Sequence, residues 1–237
     1  MNKTFRIVKK KLHSGTAASY GMKKISFHIV TLFPEIIRAY AKESILKRAQ
    51  ENKHISISTI NPRDYAKDKH HTVDARSYGG GPGMVLKPEP ILTSLEKVLA
   101  KKKAQTAVFI LSPRGKQFTN THALQIAKKY SQIVLISGRY EGIDARVKKI
   151  LKAREISVGP YVVTGGELPA LLVVDAIARQ IPGVLGKQES LEEKRITAKE
   201  IYTRPEVFVY KGKKYTVPKV LVSGNHAKIE EWKRKRN

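Results

Sequence analysis

From residue 25 onward the chain alternates between short, nearly unbroken apolar runs and stretches in which apolar residues recur every three or four positions. The runs Ile25–Val30, His54–Ile60, Ala107–Leu111 and Gln132–Ser137 predict strands, with a further short one near Glu155–Val158. The helical spacing predicts helices over Glu35–Ala49, where Ile36, Ile37, Tyr40, Ile45 and Leu46 recur, then near Pro88–Lys103, near Asn120–Tyr130 and over Leu168–Ile181. Strands made of continuous Val, Ile and Leu are buried on both faces. The predicted fold class is therefore α/β, a mainly parallel sheet covered by helices, with ligands taken where loops leave the carboxyl ends of the strands.

The pattern fails at both ends of this region. The first 21 residues carry no acid and no periodicity, and are read as a basic N-terminal extension, 1–21, without fixed structure. A transit peptide or an upstream addition would both look like this, and the addition is preferred. Past Pro182-Gly183 the segment 186–200 reads as a flexible linker. The remainder, 201–237, is too small to hold a core alone and is expected to be a small helical domain docked on the main domain, 22–185, or on a second subunit.

Charge narrows the partner. Lys plus Arg number 46 against 20 for Asp plus Glu, a formal net charge of +26, which is a field that gathers polyanions. Nucleic acid is the expected partner. The absence of cysteine excludes a disulfide framework, a thiolate metal site and a Cys nucleophile, and favours a cytoplasmic protein. The longest apolar run, ALLVVDAIARQIPGVL, is broken by Asp175, Arg179 and Pro182, so no membrane span is expected. No Asp/Glu/His set has metal-ligand spacing and no Ser/His/Asp order stands out, which leaves hydrolysis unsupported.

The candidate chemistry lies in glycine-bearing turns at strand ends. Tyr78–Met84 (YGGGPGM) fits neither a P-loop nor a dinucleotide fingerprint. Ser112-Pro113-Arg114-Gly115, the loop GRYEG at 138–142 and the turn VTGGELP at 163–169 are ordinary turns singly. Together they could converge on a pocket whose backbone groups read a nucleoside edge.

With VTLFPEI at 30–36, KDKHHTVDARSYGGGPGM at 67–84, LSPRG at 111–115, GRYEGID at 138–144, the run from Val163 to Gly186, YTRPE at 202–206 and VPKVLVSGNHAKIEEW at 217–232 on the page, the chain resembles the bacterial tRNA (guanine-N1)-methyltransferase family, TrmD. The resemblance implies a SPOUT-class domain with a deep trefoil knot, an obligate homodimer, and S-adenosyl-L-methionine-dependent methylation of N1 of guanosine 37, just 3′ of the anticodon. It maps the methyl-donor pocket onto Leu111, Ser112, Pro113 and Gly115, onto Gly138 and Glu141, onto Val158, Gly159, Pro160, Tyr161, Val162 and Val163, and onto Gly165, Gly166 and Pro169. The glycines are expected to leave room for the donor. Arg179 corresponds to the arginine near the reacting guanine, where a cation stabilises charge developing on O6. Lys67, His70, Arg204, His226 and Lys228 fall where the family grips the anticodon arm of tRNA. Mg2+ is implied only by the resemblance, with no protein ligands to assign.

The chain departs from the family at two positions that bear on chemistry. Glu192-Glu193-Lys194-Arg195 stands where the family has the aspartate taken as general base, and Pro160 replaces an aspartate in the donor segment. A lysine in water is protonated near neutral pH and cannot accept the N1 proton, so Glu193 is the expected base, with Glu192 second. A tRNA-binding protein of the same fold without turnover is the alternative reading.

Overall fold

The computed structural model describes residues 24–100, 105–185 and 200–235. The expected N-terminal extension and nearly all of the linker, including Glu193, lie outside them. Among the described residues no helix is long and apolar enough to cross a membrane.

Five strands form one parallel sheet: β1 (Ile25–Val30), β2 (Ile55–Ile60), β5 (Thr106–Gln117), β6 (Gln132–Ser137) and β7 (Arg154–Ser157), in the order β2-β1-β6-β5-β7. Every residue of β6, the central strand, is buried, as expected for a strand covered on both faces. Its side chains alternate between two cores. Ile133 and Leu135 join Phe27, Ile29 and Phe109 beneath α1 (Pro34–Ala41), α2 (Ser44–Glu51), α4 (Asn120–Lys129) and α6 (Glu167–Ala178). Val134 and Ile136 join Val30, Ile91, Leu95 and Val147 beneath α3 (Pro88–Ala100) and α5 (Ala145–Leu151). The short hairpin β3 (Asp74–Arg76) and β4 (Met84–Leu86) carries the glycine run at its turn.

The expected single helix over Glu35–Ala49 is two, because Ser44, where α2 begins, adopts a left-handed φ of 47°. Helix α5 was not expected; ARVKKIL is short and basic, and only Val147 of it is buried. Asp144 caps it by accepting from the Arg146 backbone N–H at 2.8 Å. The C-terminal piece, expected to be helical, holds a hairpin of β8 (Val207–Tyr210) and β9 (Lys213–Thr216) before α7 (Lys219–Val222) and α8 (His226–Lys235).

Two backbone crossings shape the carboxyl end of the sheet. Strand β5 pairs with β7 through Leu111 opposite Ile156, leaves for four residues, and returns with Lys116 opposite the same Ile156. At the return, a Cβ on Gly115 would lie 2.5 Å from the Ile156 backbone nitrogen. Farther on, the chain passes over the end of β6, where the Gly166 N–H donates to the Gly138 carbonyl at 2.9 Å and a Cβ on Gly166 would lie 2.6 Å from Ser137 Cα. Glycine is required at both crossings because backbone cannot yield as a side chain can.

Substituting Gly115→Ala or Gly166→Ala should cost about 1–3 kcal/mol or more by overpacking, whereas Gly138→Ala, whose Cβ would have its nearest neighbour at 3.6 Å, should cost well under 1 kcal/mol. Urea unfolding of the three variants checks the ranking. A pH dependence is also expected. Burial holds the imidazoles of His28 and His122 below the ordinary histidine range, with Arg154 and Lys116 adding to the effect on His122. The unfolded chain takes up protons near pH 6.5 that the folded chain refuses, so stability should fall as pH drops below about 6.5 and level off beneath the folded pKa values. A urea midpoint that falls between about pH 7.5 and 5.5, and falls less in the His28→Gln/His122→Gln variant, is the expected result.

Candidate active site

The excursion within β5 and the loops that follow β6 and β7 converge on one cavity of about 440 Å³ at the carboxyl end of the sheet, where α/β folds place their ligands. The first loop contributes Leu111, Ser112 and Pro113, and the second Gly138 and Glu141. The third brings Val158, Tyr161, Val162, Val163, Gly165, Gly166 and Pro169 to the same lining. Three further residues expected there, Gly115, Gly159 and Pro160, are not on the lining itself. Gly115 lies against the Ile156 backbone, Gly159 lies beneath the Tyr161 ring, and Pro160 is exposed. The aspartate-to-proline departure therefore falls outside the cavity wall.

The glycines also meet a demand from within the chain. A side chain at Gly115 or Gly166 would strike backbone, and one at Gly165 would overlap the ion pair between Arg139 and Glu167. They make room for the protein itself. Of the expected pocket glycines, Gly138 alone has ordinary clearance.

The sequence does not pair Arg139 and Glu167, since they are 28 positions apart, one in the loop after β6 and the other in α6. Glu167, in the first turn of α6, is 2% exposed, and its Oε2 lies 2.8 Å from Arg139 Nη2. Thr31, just past β1, donates its hydroxyl to Glu167 Oε1 at 2.7 Å and accepts from the Phe33 N–H at 3.0 Å. The Arg139 guanidinium also donates to the Thr164 carbonyl at 3.2 Å and sits 4.4 Å from the centre of the Phe33 ring. One network thus ties β1, the loop after β6 and the start of α6 at the back of the cavity. An acidic residue opening an otherwise apolar helix was the only available clue.

Glu141 faces the cavity from a turn closed by the Gly142 N–H donating to the Arg139 carbonyl at 3.1 Å, with Tyr140 at a φ of 58°. Its backbone N–H donates to the Met84 carbonyl at 3.0 Å, which joins the β3–β4 hairpin to the site. A Cβ on Gly83 would meet the Glu141 side chain at 2.8 Å, so the glycine run closes tightly beside this carboxylate.

Arg179 is the C-terminal cap of α6 and lies outside the cavity wall. Glu167 to Ala178 spans 12 residues, so at 1.5 Å per residue Arg179 stands about 18 Å along the axis from the cavity end of the helix. Of the residues expected to hold RNA, Lys67 is exposed and pairs with Glu89 at 2.8 Å, and the His70 N–H donates to Asp68 at 3.2 Å. Hydrogen bonds from Thr72 draw the Asp68 carboxyl down to about 2, which fixes this loop with its carboxylate ionised. Arg204, His226 and Lys228 are exposed, the last two in the first turn of α8, where Asn225 accepts from the Lys228 N–H at 3.2 Å. Among the described residues no three His, Asp or Glu side chains gather as a metal site would need.

The fold is that of an α/β protein with a cavity at the carboxyl end of its parallel sheet, lined from β5, β6 and β7. The chain belongs to the family described as tRNA (Guanine-1)-methyltransferase TrmD, whose sequence profile matches residues 25–237. It is 46% identical over 214 residues to the tRNA (guanine-N(1)-)-methyltransferase of Desulforamulus reducens, covering 88% of this chain and 82% of that one. The protein of the same name from Clostridioides difficile is 46% identical, covering 88% of this chain and 90% of its own, and that of Bacillus subtilis is 44% identical, covering 90% and 86%.

Removing one member of the buried pair should be severe. Arg139→Ala leaves the Glu167 carboxylate without its cation and is expected to lower stability by about 3 kcal/mol, while Arg139→Met/Glu167→Met should lose less than Arg139→Ala alone. Equilibrium urea unfolding of single and double variants measures the difference.

Proposed function

We propose that this protein transfers a methyl group from S-adenosyl-L-methionine to N1 of guanosine 37 in tRNA, acting as a homodimer in the cytoplasm. The observation that carries this reading is the convergence of three loops on one cavity in a chain of the TrmD family. The cavity suits the donor: Leu111, Ile110 and Val158 offer apolar surface, a Cβ on Gly138 would have ordinary clearance, and Glu141 on the lining brings a carboxylate for a hydroxyl or ammonium group. When bound, the donor supplies an electrophilic methyl group on a sulfonium. Mg2+ is assigned no protein ligands. The close crossings at Gly115 and Gly166 support the trefoil knot of the SPOUT class.

The chain's own residues then have two tasks. Glu193 accepts the proton that guanine N1 must lose, and the Arg179 guanidinium holds the negative charge that its loss leaves on O6. Because Arg179 stands about 18 Å down α6 from the cavity of its own chain, it serves the cavity of a second copy. Helix α6 supports that arrangement. It is apolar nearly all round, yet Leu168 and Leu172, one turn apart, are 60% and 52% exposed, beside the exposed Tyr40 and Ile36 of α1. A helix apolar on every face is a buried helix, and a second subunit provides the cover. Tyr40 marks the seam, its hydroxyl donating to Asp175 at 3.1 Å.

Incubation with labelled donor and a tRNA bearing guanosine 3′ of the anticodon should yield N1-methylguanosine; binding of both without transfer would favour the non-catalytic alternative that Lys194 raises. In single-turnover assays Glu193→Ala should lose about 10²–10⁴-fold in rate. If Arg179 acts across the dimer, an equal mixture of Arg179→Ala protomers and donor-pocket variant protomers should recover about a quarter of wild-type activity after random reassortment, although each alone is inactive.

A further inference from the structure

The β8–β9 hairpin belongs to neither the cavity nor the two cores, and it was not anticipated by the family motifs. Tyr210-Lys211-Gly212-Lys213 makes a two-residue turn in which Lys211 and Gly212 have φ of 49° and 74°, the geometry that matches the twist of flanking strands. The register sets Phe208 opposite Tyr215 and Tyr210 opposite Lys213. Directly paired residues, and residues two apart on a strand, share a face. One face of the hairpin is therefore Phe208, Tyr210, Tyr215 and Lys213, with the rings 56%, 54% and 49% exposed.

The arrangement of these groups is specific. The Phe208 and Tyr210 rings are 6.4 Å apart and only 10° from parallel. Lys213 Nζ lies 5.7 Å from the Tyr215 ring centre, and Lys211 Nζ lies 5.5 Å from that of Tyr210. Near-parallel, half-exposed rings accept flat, stackable groups, and the ammonium groups over two of the three rings accept the anions that link such groups. Unpaired nucleotides have both properties. An acidic protein surface would satisfy the lysines but give the rings no planar partner, and the formal net charge of +26 favours a polyanion.

We infer that this face is a stacking platform for unpaired nucleotides of the RNA substrate, with Phe208, Tyr210 and Tyr215 under the bases and Lys211 and Lys213 at the phosphates. The inference rests on the tRNA reading above and narrows it, assigning the hairpin to the anticodon loop and not to the paired stem.

The test uses the full-length chain and the variant Phe208→Thr/Tyr210→Thr/Tyr215→Thr, which keeps strand propensity while removing the rings. Binding is measured to an anticodon stem-loop RNA and to a blunt duplex of the same stem sequence, alongside donor affinity, circular dichroism and sedimentation. The expected result is a loss of about tenfold or more on the stem-loop, with duplex binding, donor affinity, spectrum and oligomeric state unchanged. A second variant, Lys211→Gln/Lys213→Gln, should reduce the salt dependence of stem-loop binding. Equal losses on both RNAs, no loss on either, or a change of oligomeric state in the threonine variant would overturn the inference, the last by showing that the face covers a second copy. If the wild-type protein methylates tRNA and the threonine variant binds the stem-loop as well as it does, the hairpin assignment alone fails. If the wild type neither binds nor methylates tRNA, the tRNA reading fails with it.

Discussion

The architecture of this protein depends on how closely two stretches of backbone can approach where no side chain intervenes. At Gly115 the chain returns from its excursion within β5 onto the backbone of Ile156, and at Gly166 it lies on Ser137 and Gly138 at the end of β6. These contacts draw three loops from three strands into one rim, so the cavity exists because the crossings are tight. A methyl group at either position would push the loops apart, and the small-molecule site would lose its walls before any ligand contact was altered. The position of α6 follows from the same geometry, because its first turn begins at Gly166.

The Thr31–Glu167–Arg139 network depends on that placement. A carboxylate 2% exposed is tolerable only with a cation and a donor in place, and both arrive from segments distant in sequence. Gly165 leaves the space that the pair occupies. The polar cluster therefore acts as a lock on the relation between β1 and α6, which is the relation that sets where the far end of α6 points.

Much of the fold was legible in the chain. Continuous apolar runs located β1, β2 and β6 to within a residue, and the alternation of runs with helical spacing gave a parallel sheet with ligand loops at its carboxyl end. The three glycine-bearing turns met as anticipated. What was illegible has physical reasons. The backbone crossings at Gly115 and Gly166 leave no trace of their own, because the need for hydrogen in place of a side chain looks the same whether the neighbour is a ligand or the chain itself. The break at Ser44 and the helix ARVKKIL depend on a left-handed residue and on a single buried valine, neither of which leaves a periodic trace. The hairpin at 207–216 did leave one, alternating Val, Phe, Val, Tyr around Lys-Gly, and was obscured by the basic charge around it. The Arg139–Glu167 pair is a purely tertiary fact.

The packing of α6 also carries a consequence for synthesis on the ribosome. The core beneath α1, α2 and α4 includes Ile37, Leu46, Ala49 and Ile126, and is covered by Ala170, Val173, Val174 and Ile177 from later in the chain. Until that helix has left the exit tunnel, a nascent chain with its strands already available presents this apolar face uncovered. Such a surface is what chaperones bind and what aggregation exploits. The interval between translating Ile126 and translating Ile177 is then a period of exposure written into the order of the elements, and slow codons placed within it would lengthen that exposure without changing a single residue of the finished protein.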